Sequence, residues 1–135
     1  MRIVVDTNIL IDYAHGYAKW LEEILGSQRR RSIELILPTI VIAEYFTSAL
    51  LEESYEVEIA DRTFSLFTKQ DLNEEIAKIL GRILRHKSYP PGADLADLII
   101  ASTALYVDAE LATRNNADFA KIPQLRFFDP KKLRP

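Results

Sequence analysis

Short apolar runs that alternate with helix-like segments constrain this chain most. Ile3–Val5 is β-branched and has the length of a buried strand. Asp6-Thr7-Asn8 ends it and offers cap residues for a helix through Ile9–Ala14. Tyr17–Leu25 then carries Trp20, Leu21, Ile24 and Leu25 on one helical face, with Gly26 as a stop. Ile33–Leu37 reads as a second strand, and Pro38-Thr39 opens a helix expected to run to about Glu53. Thr63–Thr68 is a weaker strand. Asp71-Leu72-Asn73 caps an amphipathic helix with Ile76, Ile79, Leu80, Ile83 and Leu84 at helical spacing. Ala93–Val107 is a further helix, Glu110–Thr113 a strand, Ala117–Ala120 a helical turn and Arg126–Asp129 a last short strand. Such alternation predicts an α/β fold: a central parallel sheet of about four to five strands with helices on both faces. The pattern leaves the strand order open.

The 135 residues suit one domain, 1–135. No apolar stretch is long enough to span a bilayer. The opening Met-Arg-Ile-Val-Val-Asp lacks the apolar region and cleavage site of a signal peptide. With no cysteine, disulfides and thiolate metal sites are excluded. A cytoplasmic protein is expected. Net charge is -3, whereas polyanion binders usually carry a basic face. Any affinity for nucleic acid must therefore come from local patches and a bound cation.

Several acids interrupt apolar surroundings. Asp6 directly follows a strand, where open α/β sheets gather ligands; a helix N-cap would explain it equally well. Glu44 lies within Ile40-Val41-Ile42-Ala43-Glu44-Tyr45-Phe46, where burial is costly without a partner or cation. A solvent-facing helix position is the plainer alternative. Asp97 sits in Ala96-Asp97-Leu98-Ile99, with Asp94 one turn earlier, and both positions also suit the helix macrodipole. Asp118 follows a strand by a short loop, and alone it reads as a turn residue. Carboxylates that follow separate parallel strands can converge on one crevice. A divalent cation would relieve their repulsion, and all-oxygen ligation points to Mg²⁺ or Mn²⁺. His15 and His86, the only histidines, lack ligand spacing, which speaks against zinc.

Other chemistries find less support. Four glycines, Gly16, Gly26, Gly81 and Gly92, make neither a P-loop nor a dinucleotide fingerprint. Asn8 stands where an Asp-x-Asp phosphatase would need its second aspartate. Gln28-Arg29-Arg30-Arg31 and the set Arg82, Arg85 and Lys87 read as solvated charge rather than phosphate contacts. Arg114, nearer the acids, is the better phosphate-contact candidate. Tyr17, Trp20, Tyr45, Phe46 and Leu50 are expected to be mostly core, with any surplus forming a partner groove.

At these residues the chain resembles the PIN domain, and within it the VapC-type toxins of toxin–antitoxin pairs. Val5-Asp6-Thr7-Asn8-Ile9-Leu10, Pro38 through Glu44, Asp97 through Ala104, and Thr113-Arg114-Asn115-Asn116-Ala117-Asp118-Phe119 carry the resemblance in order. Phe128-Asp129-Pro130 suits the usual ending. The resemblance implies a three-layer α/β/α fold and a metal-dependent endoribonuclease. It implies catalytic acids Asp6, Glu44, Asp97 and Asp118, with Asp6, Asp97 and Asp118 as metal ligands. Thr7, Asn8, Thr113 and Asn115 would give polar support, and Asp94 would be a fifth acid or a helix-start residue. An antitoxin protein, an RNA substrate and a homodimer are the implied partners. An RNA-processing nuclease without a toxin role, or a catalytically silent binding domain, are the alternative readings.

Overall fold

The structure, a computed structural model, describes residues 1–27, 31–48 and 54–133. Strand β1 (Arg2–Val5) leads into helices α1 (Thr7–Ala14) and α2 (Lys19–Leu25). Strand β2 (Glu34–Pro38) is followed by α3 (Thr39–Ser48) and α4 (Ser54–Phe64), and β3 (Thr68–Gln70) by α5 (Glu74–His86) and α6 (Leu95–Tyr106). Strand β4 (Glu110–Ala112) and short 3-10 turns at Asn116–Phe119 and Pro130–Leu133 end the described chain. No helix among the described residues is long and apolar enough to cross a membrane.

The four strands are parallel, in the order β3-β2-β1-β4. Two crossovers step outward from β1 to β3, and the third returns across the sheet to β4. Right-handed crossovers then put α1–α4 on one face and α5–α6 on the other, giving three layers. The reversal of direction falls between β1 and β4, and the crevice beyond their carboxyl ends is where such sheets bind ligands. Strands β1 and β2 are apolar because both faces are covered: Ile3, Val4, Val5, Ile36 and Leu37 are buried. Helix α6 is the central helix, buried without a break from Leu98 to Ala104. Ser102 and Thr103 survive there because each hydroxyl donates to the carbonyl one turn back, at 2.7 Å to Leu98 and Ile99.

Several boundaries differ from those expected. Pro38 closes β2 instead of opening α3, and it sits opposite Gln70 of β3. The expected end of that helix, residues 49–53, lies outside the described residues, as do Leu50 and Gln28–Arg30. Helix α2 begins at Lys19 rather than Tyr17. The segment expected as strand Thr63–Thr68 is instead the end of α4, a turn and the first residue of β3. Phe64 and Phe67 are buried there, so the apolar residues that suggested a strand serve the core from a helix end and a turn. The last expected strand is a single parallel bridge, Leu111 with Phe127. Along α5 only Ile76 and Ile83 are fully buried, while Leu84 stays 40% exposed.

Candidate active site

Asp6 follows β1 and extends its ladder by one rung, donating its backbone N–H to the Ala112 carbonyl at 3.0 Å. It is also the N-cap of α1, accepting from the Thr7 N–H at 2.7 Å. The capping role is therefore seen, and it leaves the second carboxylate oxygen to other partners. The second carboxylate oxygen accepts from Thr113 Oγ1 at 2.8 Å and Asn8 Nδ2 at 3.2 Å. Thr113 directly follows β4, so this bond closes the crevice between β1 and β4. The same hydroxyl accepts from the Asn115 N–H at 3.1 Å, which fixes the loop after β4.

Glu44 comes from α3 and accepts from Thr7 Oγ1 at 2.7 Å. Thr7 thus joins two acids, its N–H on Asp6 and its hydroxyl on Glu44. Asp94 and Asp97 enter from the start of α6 as a reciprocal capping box. The Asp97 N–H donates to Asp94 Oδ1 at 2.8 Å, and the Asp94 N–H to Asp97 Oδ2 at 3.1 Å. Each carboxylate keeps one oxygen outside the box. Asp118 lies in the 3-10 turn after β4. It borders the turn before α6, where a Cβ on Gly92 would stand 3.6 Å from Asp118 Oδ1.

These five acids, from four separate segments, act on one another electrostatically. Burial raises the Asp6 pKa, bonds from Thr113 and Thr7 oppose this, and the Asp94 and Asp118 charges raise it further. Burial also raises Glu44, with Thr7 opposing and Asp6 and Asp94 adding to the rise. Asp97 is pushed up to about 6, chiefly by burial; the Asp94 N–H lowers it, and Asp94, Asp6 and Asp118 raise it. The donors are all oxygen, which fits a hard divalent cation. Among the described residues no three acids already form a closed cage. Asp97 Oδ2 is turned back to the Asp94 N–H.

Arg114 is exposed beside this cluster. Its backbone N–H donates to Asn8 Oδ1 at 3.2 Å, and its Nε stands 2.9 Å from Asp12 Oδ2. Asp12 was not singled out in the sequence, although its place one turn after Asn8 on α1 could have flagged it. The histidines sit at the C-terminal ends of α1 and α5. Of the early aromatics, Trp20 packs on Phe128 at 4.9 Å and Tyr45 meets Phe64 edge-on at 5.5 Å. Tyr17 and Phe46, at 78% and 42% exposed, are the ones offering free surface.

The parallel sheet in the order β3-β2-β1-β4, with Asp6 and Asp118 on the segments that follow β1 and β4, is an α/β fold with acids beside its switch point. The sequence matches the PIN domain family over residues 3–125, and the chain belongs to that family. It is 32% identical over 129 residues to Ribonuclease VapC19 of Mycobacterium tuberculosis, covering 91% of this chain and 96% of the relative. Its fold resembles VapBC2 of Rickettsia felis bound to a promoter DNA fragment, with TM-score 0.74, 26% identity, and 95% and 98% of the two chains covered. It also resembles VapBC-1 of nontypeable Haemophilus influenzae, with TM-score 0.73, 26% identity, and 97% and 99% covered.

Proposed function

We propose that this protein is a divalent-metal-dependent endoribonuclease and the toxin of a toxin–antitoxin pair. One observation carries the nuclease reading: Asp6, directly after β1, feels or is felt by the charges of Glu44, Asp94, Asp97 and Asp118 from three further segments, and Thr7 bonds both Asp6 and Glu44. The similarity to a ribonuclease over nearly the whole chain supports RNA as substrate. The similarity to VapBC assemblies supports a protein inhibitor.

Asp6, Asp97 and Asp118 would hold Mg²⁺ or Mn²⁺. When bound, the ion would supply positive charge to the scissile phosphate and lower the pKa of water at the site. Asp6 is fixed from three sides by Thr7, Asn8 and Thr113, so it presents a set anchor. Asn115 steadies the Thr113 hydroxyl. Glu44, which accepts from Thr7 and whose pKa burial raises, would orient the attacking water and accept its proton. In-line attack leaves a 5′-phosphate and a 3′-hydroxyl. Purified protein should cut single-stranded RNA with Mg²⁺ or Mn²⁺ and stop in EDTA. Undiminished cleavage in chelator, with contaminating nucleases excluded, sinks the metal-dependent reading.

A further inference from the structure

Helix α1 grips one residue at two points. Asn8 and Asp12 lie four apart, on the same face of the helix. Asn8 Oδ1 takes the backbone N–H of Arg114 at 3.2 Å, and Asp12 Oδ2 stands 2.9 Å from its Nε. The Asp12 side chain is only 18% exposed, whereas that of Arg114 is 58% exposed. Asp12 is thus the inner, more buried partner, and the guanidinium remains open to solvent. A guanidinium carries five N–H donors in a planar fork. A carboxylate at Nε leaves the Nη groups for a second anion. Arg114 is also covalently next to Thr113, whose hydroxyl holds Asp6. Its backbone is therefore set by the same network that sets the acids.

We propose that Asn8 and Asp12 hold Arg114 as a preset phosphate hook on the rim of the acidic site, with Asp12 as a positioning residue. The proposal rests on the nuclease reading and adds how a site of negative charge retains a polyanion. A free arginine would lose rotamer freedom on meeting RNA; one already fixed by Asp12 has lost it on folding. The fork suits a phosphodiester better than a lysine would. A merely structural pair would instead stiffen the loop after β4 and leave phosphate binding alone.

The test measures binding of a mixed-sequence single-stranded RNA in EDTA across a KCl series, and kcat and KM with Mg²⁺. Arg114→Ala should flatten the dependence of log affinity on log salt by about 0.7, the loss of one phosphate contact on a single strand. It should raise KM on the order of tenfold, as expected for one charge-assisted hydrogen bond, with kcat little changed. Asp12→Asn should move KM in the same direction, and the double variant should lose no more than Arg114→Ala alone. Arg114→Lys should keep the salt slope while weakening binding. Unchanged slopes, strictly additive losses, absence of RNA binding in EDTA, or a fall in kcat alone would overturn the hook. RNA bound by the wild type but never cleaved would instead overturn the nuclease reading.

Discussion

Helices α5 and α6 both begin with an Asx cap and acids in the first turn, yet the two acid groups live in opposite electrostatic worlds. In α5, Asn73 caps through Ile76, and Glu74 and Glu75 stand exposed. Lys78, on the same helix, lies 3.9 and 3.7 Å from them. In α6, Asp94 caps through Asp97, and the helix itself, LADLIIASTALY, contains no basic residue. Its neighbours are further acids: Asp6, which follows β1, and Asp118 from the turn after β4. Acids at a helix start are explained by the macrodipole wherever solvent and a lysine attend them. Where burial and like charges attend them, the arrangement raises the energy of the folded chain, and a function that binds cations is the natural reason to keep it.

The largest effect should separate these helices by activity. Asp97→Asn preserves shape and the capping bond while removing the charge of a proposed metal ligand. RNA cleavage should fall about a hundredfold or more, the loss of several kcal/mol of transition-state stabilisation. Asp94→Asn should only reduce it, and Glu75→Gln should leave it unchanged. Equal losses at Asp94 and Asp97 would show that the capping box acts as one unit and that their ranking is wrong.

The same comparison shows what the sequence could and could not reveal. Strands β1 and β2 were readable because burial on both faces demands continuous aliphatic residues. Strand β3 was not: Thr68-Lys69-Gln70 is an exposed edge joined to β2 through backbone bonds, so no side-chain pattern marks it. Helix α4 was missed for a related reason. Its buried residues are Ala60 and Phe64, and its other positions are largely charged or polar. The candidate acids stood out as charges within apolar runs, but each also had a plain capping or surface explanation. Only the sheet order places Asp6 beside Thr113, which lies 107 residues away in the chain. The Asp12–Arg114 pair was hidden similarly, because neither residue is unusual until α1 and the loop after β4 are side by side.

A smaller effect should appear in stability, without substrate. Burial pushes Asp97 up to about 6 in the folded chain, against 3.8 for a free aspartate. Between those values the folded state holds a proton that the unfolded state releases. Stability should therefore rise as pH falls through 6 toward 4, and the penalty should be complete above 6. In EDTA at pH 7.5, Asp97→Asn should melt a few degrees above the wild type and should flatten this pH dependence. Mg²⁺ should then raise the wild-type Tm, as a ligand of the folded state does, and do little for the variant. Thermal melts over pH, with and without Mg²⁺, decide this. A variant that melts lower in EDTA and responds to Mg²⁺ like the wild type would make Asp97 a structural cap.

The smallest effect belongs to α5 and tests the benign half of the comparison. Lys78 reaches Glu74 and Glu75 only at the outer limit of an ion pair, and all three side chains are more than half exposed. Water screens such pairs well, and ordering long side chains offsets much of the attraction. Lys78→Gln should therefore lower Tm by no more than about one degree, a few tenths of a kcal/mol in a domain of this size. High salt should erase even that difference, because the interacting charges face solvent. Metal response and RNA cleavage should match the wild type. A clear loss of Mg²⁺-dependent stabilisation in Lys78→Gln would mean that the α5 acids communicate with the site, and the separation between the two helix starts would fail.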